Sequence, residues 1–287
     1  MRFTAMVAVL VGAGVAACSR VQSGGVSGTG SPVSVATPEA PPMASATFRY
    51  APGRVVYDYV ATATVAMEND TARSPEPVTS RSRIAVTLEP RDARLDATVI
   101  VDSVSVTAGG RITADSQPLR DALTHSAHVE PSGRVIFDEA SAPGDCSAAG
   151  GVTLSMAREV LLAVPKTLDI STTWRDTVHT TSCRGGVTVR TTTQSTFSVE
   201  AIEQSGNGTV ARIARRGTIA VAGEGLQRGQ AVTLSGSGQV TGRYLLHAGL
   251  GRLMQGSAEY ESQLTLAAGD RSQQFLQRGT QQVTVRD

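Results

Sequence analysis

The chain carries a net charge of +1 over 287 residues, with 18% charged and 4% aromatic positions. So even a balance gives no electrostatic pull toward nucleic acid, which sets that class of partner aside. Abundant Thr, Ser, Val, Gly and Ala exclude a coiled coil and a wholly disordered chain, and they fit a β-rich body.

At the N-terminus, Arg2 precedes an apolar run, Ala5 to Gly14, which ends in Val15-Ala16-Ala17-Cys18. The run is too short for a spanning helix, which needs about 20 residues. Small residues ahead of a cleavage point are what signal peptidases require. With the cysteine in last place, the quartet resembles the bacterial lipoprotein signal, the lipobox. That resemblance implies cleavage before Cys18, acyl chains on Cys18, and an extracytoplasmic, lipid-anchored protein of the cell envelope. Ser19 follows the cysteine, and a residue other than Asp there resembles sorting to the periplasmic side of the outer membrane in a diderm. Residues 1–17 are then a signal peptide and 18–47 a lipidated, disordered tether rich in Gly, Ser and Pro. Residues 48–287 form a single antiparallel β domain.

Val55 to Met67 alternates Val55, Tyr57, Tyr59, Ala61 and Ala63 on one face, the mark of a half-buried strand. Ile84, Val86 and Leu88 repeat the pattern, as do Leu95, Ala97, Val99 and Val101. Val104 and Val106 then take the opposite parity, which predicts a β-bulge near Asp102-Ser103. His128-Val129 and Arg134 to Phe137 flank Pro131-Ser132-Gly133 as a hairpin.

Thr153 to Val164 is the one clear helix. Met156, Val160 and Val164 repeat at i, i+4 beside Leu161, Arg158 and Glu159 face away, and Pro165 ends it. Strands resume at Trp174–Thr180, Val187–Thr193, Thr196–Ile202 and Val210–Val221, and the last is Phe275–Val285. Between them, Ala231 to Leu266 forms two long strands around Ala248-Gly249. Val232, Leu234, Val240, Tyr244 and Leu246 share a dry face with Met254, Tyr260, Leu264 and Leu266. Gly236, Gly238, Gly242 and Gly256 lie on that same face, where a missing side chain permits a sheet this long to curl.

Chemistry-bearing residues are sparse. With Cys18 lipidated, Cys146 and Cys183 are left in an oxidising compartment, Cys183 in a loop between strands, and a disulfide is the economical pairing. His125 and His128 stand near Asp121, yet no second cluster completes a metal set, and a solvated loop is the expectation. His179 and His247 read as exposed, and Arg215-Arg216 as a solvated strand face. No nucleophile elbow, zinc motif or phosphate loop occurs, so no catalytic residue, metal or cofactor is expected, and the protein reads as a non-enzyme.

The helix ending in Pro165, the loop and the strand opening at Trp174 resemble poorly characterised bacterial lipoproteins of curved-sheet type. The lipobox, tether, long strands and single helix are also similar in layout to periplasmic half-barrel lipid and lipoprotein carriers. The fold expected is mainly β: a large curved antiparallel half-barrel sheet with one amphipathic helix on its concave face. The resemblance implies a hydrophobic ligand or lipid in a groove between sheet and helix, lined by Tyr57, Tyr59, Met156, Val160, Leu161, Tyr244 and Tyr260. The alternative is a non-catalytic structural scaffold of the envelope in which the same side chains are packed core. The membrane, through Cys18, is the partner expected in either case.

Overall fold

The computed structural model describes residues 45–67, 75–108, 111–116, 123–138, 148–184, 186–206, 208–227 and 229–286. Strands run in chain order as β1 (Ser45–Thr47), β2 (Gly53–Met67), β3 (Val78–Arg91), β4 (Arg94–Ala108), β5 (Arg111–Ser116), β6 (Thr124–Val129) and β7 (Val135–Phe137). The helix α1 (Ala148–Val160) follows, then β8 (Thr167–Asp169), β9 (Thr173–Arg184), β10 (Val187–Ser205), β11 (Gly208–Gln227), β12 (Gln230–His247), β13 (Arg252–Ala268) and β14 (Arg271–Arg286).

Eleven strands form one curled antiparallel half-barrel in the order β7-β6-β4-β3-β2-β14-β13-β12-β11-β10-β9, with β5 beside β4 and β1 paired only to β8. Two meanders, β2 to β4 and β9 to β14, are sewn together where β14 pairs with β2, Val283 opposite Tyr59. Short turns link β3 to β4 and each strand from β9 to β14 to the next, and the β2–β14 seam joins the two ends of the domain.

Alternation decides the register. In β12, Val232, Leu234, Val240, Tyr244 and Leu246 are buried while Thr233, Ser235, Gln239 and Thr241 are exposed. On the inner side, glycines stand opposite larger residues: Gly217 faces Val240, Gly238 faces Ile219, and Gly236 faces Val221 and Leu264. This small-against-large pairing lets a sheet of 16- to 20-residue strands bend inward without overfilling its interior. Arg278 of β14 lies 2.7 Å from Glu261 of β13 on the wet face. Such exposed cross-strand pairs contribute little each.

The predicted bulge is present: Arg83 pairs with Ser103 and Ile84 with Val101, which leaves Asp102 unpaired. A second bulge was not legible. Leu245 pairs with Gln255 and Leu246 with Leu253, so Leu253 is fully buried and Met254, expected inward, is only partly covered. A third lies at Glu200. The two short strands expected on either side of Gln194-Ser195 run as one, β10, in unbroken register with β11 there.

The helix differs from expectation at both ends. It begins before Thr153 and stops at Val160 rather than Val164. The turn beyond is unwound because its backbone groups are engaged elsewhere. Tyr50 Oη donates to the Leu162 carbonyl at 2.8 Å, and Trp174 Nε1 donates to the Ala163 carbonyl at 2.8 Å. The Val164 amide donates to the Gly133 carbonyl at 3.1 Å. Gly133 has φ +90°, and a Cβ there would overlap the Val164 carbonyl. These three bonds take the place of helical ones, since a buried backbone needs partners for its polar groups.

β1 lies in the span assigned to the tether, with Ser45 opposite Asp169. Two buried clusters share the dry face. The larger joins Met156, Ala157 and Val160 of α1 to Tyr57, Tyr59, Val99, Ile213, Tyr244 and Leu253. The smaller, toward the far ends of the long strands, gathers Val187, Val232, Leu234, Leu264, Leu266 and Phe275.

Candidate functional site

Between the two clusters the dry face is incompletely filled. A cavity of about 210 Å³ is lined by Val152, Ser155, Arg158 and Glu159 of α1 and by one face of β9 to β14. Strand periodicity places Val178, Thr180 and Ser182 of β9, Thr191, Thr193 and Phe197 of β10, and Ile219 and Val221 of β11 on that face. Several of them, including Val178, Thr191 and Ile219, keep partial solvent exposure, so the space communicates with water.

Its wall toward α1 is a buried polar network. Arg215 Nη1 donates to Glu159 Oε1 at 2.8 Å and to Tyr244 Oη at 2.9 Å, and Arg215 Nε donates to Ser195 Oγ at 2.9 Å. Tyr244 Oη in turn donates to Glu159 Oε2 at 2.8 Å. The Arg215 guanidinium carbon lies 5.7 Å from the centre of the Phe197 ring, and Trp174 stacks on the other part of that cluster, 5.2 Å from Phe197. Burial works against the Arg215 charge, but the Glu159 carboxylate and Tyr244 outweigh it and hold Arg215 above the usual arginine range. Burial, and then the Glu159 charge, push the Tyr244 hydroxyl well above the usual phenol range. A charge pair removed from water survives only when its remaining donors and acceptors are satisfied, and this one has four bonds to satisfy them.

This network corrects two expectations. Glu159 does not face away from the protein; it is 8% exposed, as is Arg215, expected on a solvated face. A signal for Arg215 was present, since it shares parity with Ile213, Ile219 and Val221 on the dry face. Nothing local in the sequence pairs it with Glu159.

Of the seven groove candidates, Tyr57, Tyr59, Met156, Val160, Leu161 and Tyr244 are each at most 3% exposed and belong to the larger cluster, and Tyr57, Val160 and Leu161 also border a smaller cavity where α1 ends. Only Tyr260 lines the 210 Å³ cavity. Thr, Ser and Val side chains make up much of the rest of that cavity's lining, with Phe197, Glu159 and Arg215.

His125 and His128 lie on strand β6 rather than in a loop and point to opposite faces. His125 Nε2 is 2.8 Å from Thr153 Oγ1 of α1, and partial burial lowers its pKa. No group of three metal-ligating side chains occurs among the described residues. His247 is buried, not exposed; its Nδ1 accepts from the Leu250 amide at 3.1 Å inside the β12–β13 turn. Cys183 belongs to the end of β9, paired with Thr188, rather than to a loop. Cys18, Cys146 and the Cys183 side chain lie outside the described residues, and no disulfide is seen among those described. No described helix is long and apolar enough to cross a membrane.

No family model matches the chain, and no curated protein matches it. Among solved structures it is similar to a protein from Bacteroides fragilis described as exported with a YMCC-like fold, at 8% identity over 85% of this chain and 100% of that one, TM-score 0.25. It is also similar to a structure from work on asymmetric conductivity of engineered proteins, at 8% identity over 82% and 99%, TM-score 0.24. A substituted porin of Rh. blastica matches at 8% identity over 80% and 98%, TM-score 0.23. Likenesses this slight do not bear on function.

Proposed function

We propose that the chain is a membrane-anchored extracytoplasmic lipoprotein, without catalytic activity, that holds a hydrophobic ligand or lipid chain between the curled sheet and α1. In this reading α1 packs its apolar side on the concave face, the Glu159–Arg215 pair fixes it there, and the lipid on Cys18 keeps the domain at a bilayer. The observation that carries the proposal is the 210 Å³ cavity left on the dry face. Its size bounds the ligand. An apolar cavity of about 150 Å³ takes a benzene ring, whereas drug-sized molecules need roughly 300–1,000 Å³. One acyl chain end or one ring fits; a whole two-chain lipid does not.

Native mass spectrometry of the purified mature chain, with uptake of a fluorescent fatty acid, tests this. Bound lipid or saturable uptake is expected, and Thr191→Trp, which fills the cavity from a half-buried position, is expected to abolish it with the fold intact. Absence of both lipid and uptake would leave the second reading, an envelope scaffold. That reading is favoured by the packing of Tyr59, Met156 and Tyr244 within the larger buried cluster.

A further inference from the structure

A second cavity, of about 150 Å³, lies where α1 ends, between the start of β2 and the β12–β13 turn. Its floor is apolar: Val55, Val86, Leu88, Val160 and Leu161. Its charged lining is Arg54 and Arg252, set beside Tyr50, Tyr57 and the backbone of the two turns, with no Asp or Glu among the lining residues. Arg54 is exposed at the rim, and neither arginine forms an ion pair among the described residues. Arg252 is half-buried, and its Nε is buried with no hydrogen-bond partner. The enclosed Nε is out of a ligand's reach, but a guanidinium with no carboxylate partner can receive one through its terminal N–H groups. The walls are fixed beforehand: the Ala51 amide donates to the Gly251 carbonyl at 3.2 Å, and Tyr50 Oη is held by the Leu162 carbonyl.

We propose that this cavity is a binding site for a small carboxylate with an apolar body of about one ring, the carboxylate on Arg252 and Arg54 and the body on Val86, Leu88, Val160 and Leu161. It shares no lining residue with the 210 Å³ cavity and stands whether or not that one holds lipid. The body matches the volume, since about 150 Å³ accommodates a benzene ring. The head matches the charge, because two arginines without acids select an anion over a neutral isostere.

Titration of the full mature chain with benzoate, benzamide and inorganic phosphate, followed by calorimetry and NMR, tests the assignment. Benzoate is expected to bind about tenfold or more tighter than either of the others, one charge-assisted bond being sufficient for that ratio. Arg252→Gln is expected to remove the preference over benzamide. Arg54→Gln, at an exposed position that leaves folding untouched, is expected to weaken benzoate alone. Equal binding of benzoate and benzamide, equal binding of phosphate, or no benzoate binding to the folded protein would each overturn the site.

Discussion

Glu159 on the helix and Arg215 on β11, 56 residues apart in the chain, meet at 2.8 Å inside the protein. Their side chains are 11% and 8% exposed, so water screens the pair far less than it would a surface pair. Breaking it by Glu159→Ala leaves a guanidinium charge buried beside Phe197 and is expected to cost about 3–5 kcal/mol. Replacing both partners, Glu159→Leu with Arg215→Met, removes the uncompensated charge and should restore most of that loss. Urea unfolding of Glu159→Leu, Arg215→Met and the double gives the coupling. A single variant that loses under about 1 kcal/mol, the range of exposed pairs, would mean the contact is solvated.

Tyr244, the third member of that network, also depends on a glycine. Gly256 is its direct partner on β13, and a Cβ there would lie 2.8 Å from Tyr244 Cδ1 and 3.1 Å from its Cε1. Gly256→Ala must push the ring and with it the hydroxyl that bonds Glu159. The expected loss is about 1–3 kcal/mol, as for other overpacked cores. Pairing Gly256→Ala with Tyr244→Leu, which takes away the ring, should make the two losses less than additive in thermal unfolding.

These two residues also mark the limit of what the chain discloses before its structure is seen. Gly256 and Tyr244 were legible as inward-facing, because period-two alternation places every second residue on one side whatever lies across from it. The Asp102 bulge was legible for the same reason, since a parity switch between Val101 and Val104 has few other causes. Glu159 was not, because helical periodicity sorts a carboxylate outward by default and the residue that overrules it sits on another element. The end of α1 was missed for a similar reason. Leu161, Leu162 and Val164 continue an apolar pattern, but the groups that capture their backbone, Tyr50, Gly133 and Trp174, are distant in sequence. Where the inner space stays open was not legible, because alternation tells which side chains turn inward and not how completely they fill the space.

Alkaline pH offers a separate test of burial. Burial raises the hydroxyls of Tyr50, Tyr57, Tyr59 and Tyr244 above the usual phenol range. An unfolded chain releases these protons near pH 10, whereas the folded chain keeps them. The folded state then binds more protons, so stability holds below about pH 10 and falls as pH rises further, by up to about 1.4 kcal/mol per unit for each group. Urea midpoints between pH 8 and 11 should bend downward near pH 10, and Tyr244→Phe should shallow the slope. A flat profile would place these phenols in water.

Trp174 turns the cavity into something that can be watched. It is the single tryptophan of the chain, held by its bond to the Ala163 carbonyl and stacked on Phe197 with an interplanar angle of 11°. Phe197 lines the 210 Å³ cavity, so a ligand that enters must press on the ring that Trp174 covers. Titrating the folded chain with a medium-chain fatty acid should therefore change Trp174 emission saturably, and Thr191→Trp cannot serve as the control because it adds a second fluorophore. Thr191→Phe can: it fills the same space and should abolish the change while thermal unfolding stays within a few degrees of the parent. Benzoate, seated at Arg252 in the cavity that shares no lining residue with this one, should leave the emission as it was. A fatty acid that binds by calorimetry and yet does not alter Trp174 emission would place that ligand outside the cavity between α1 and the sheet.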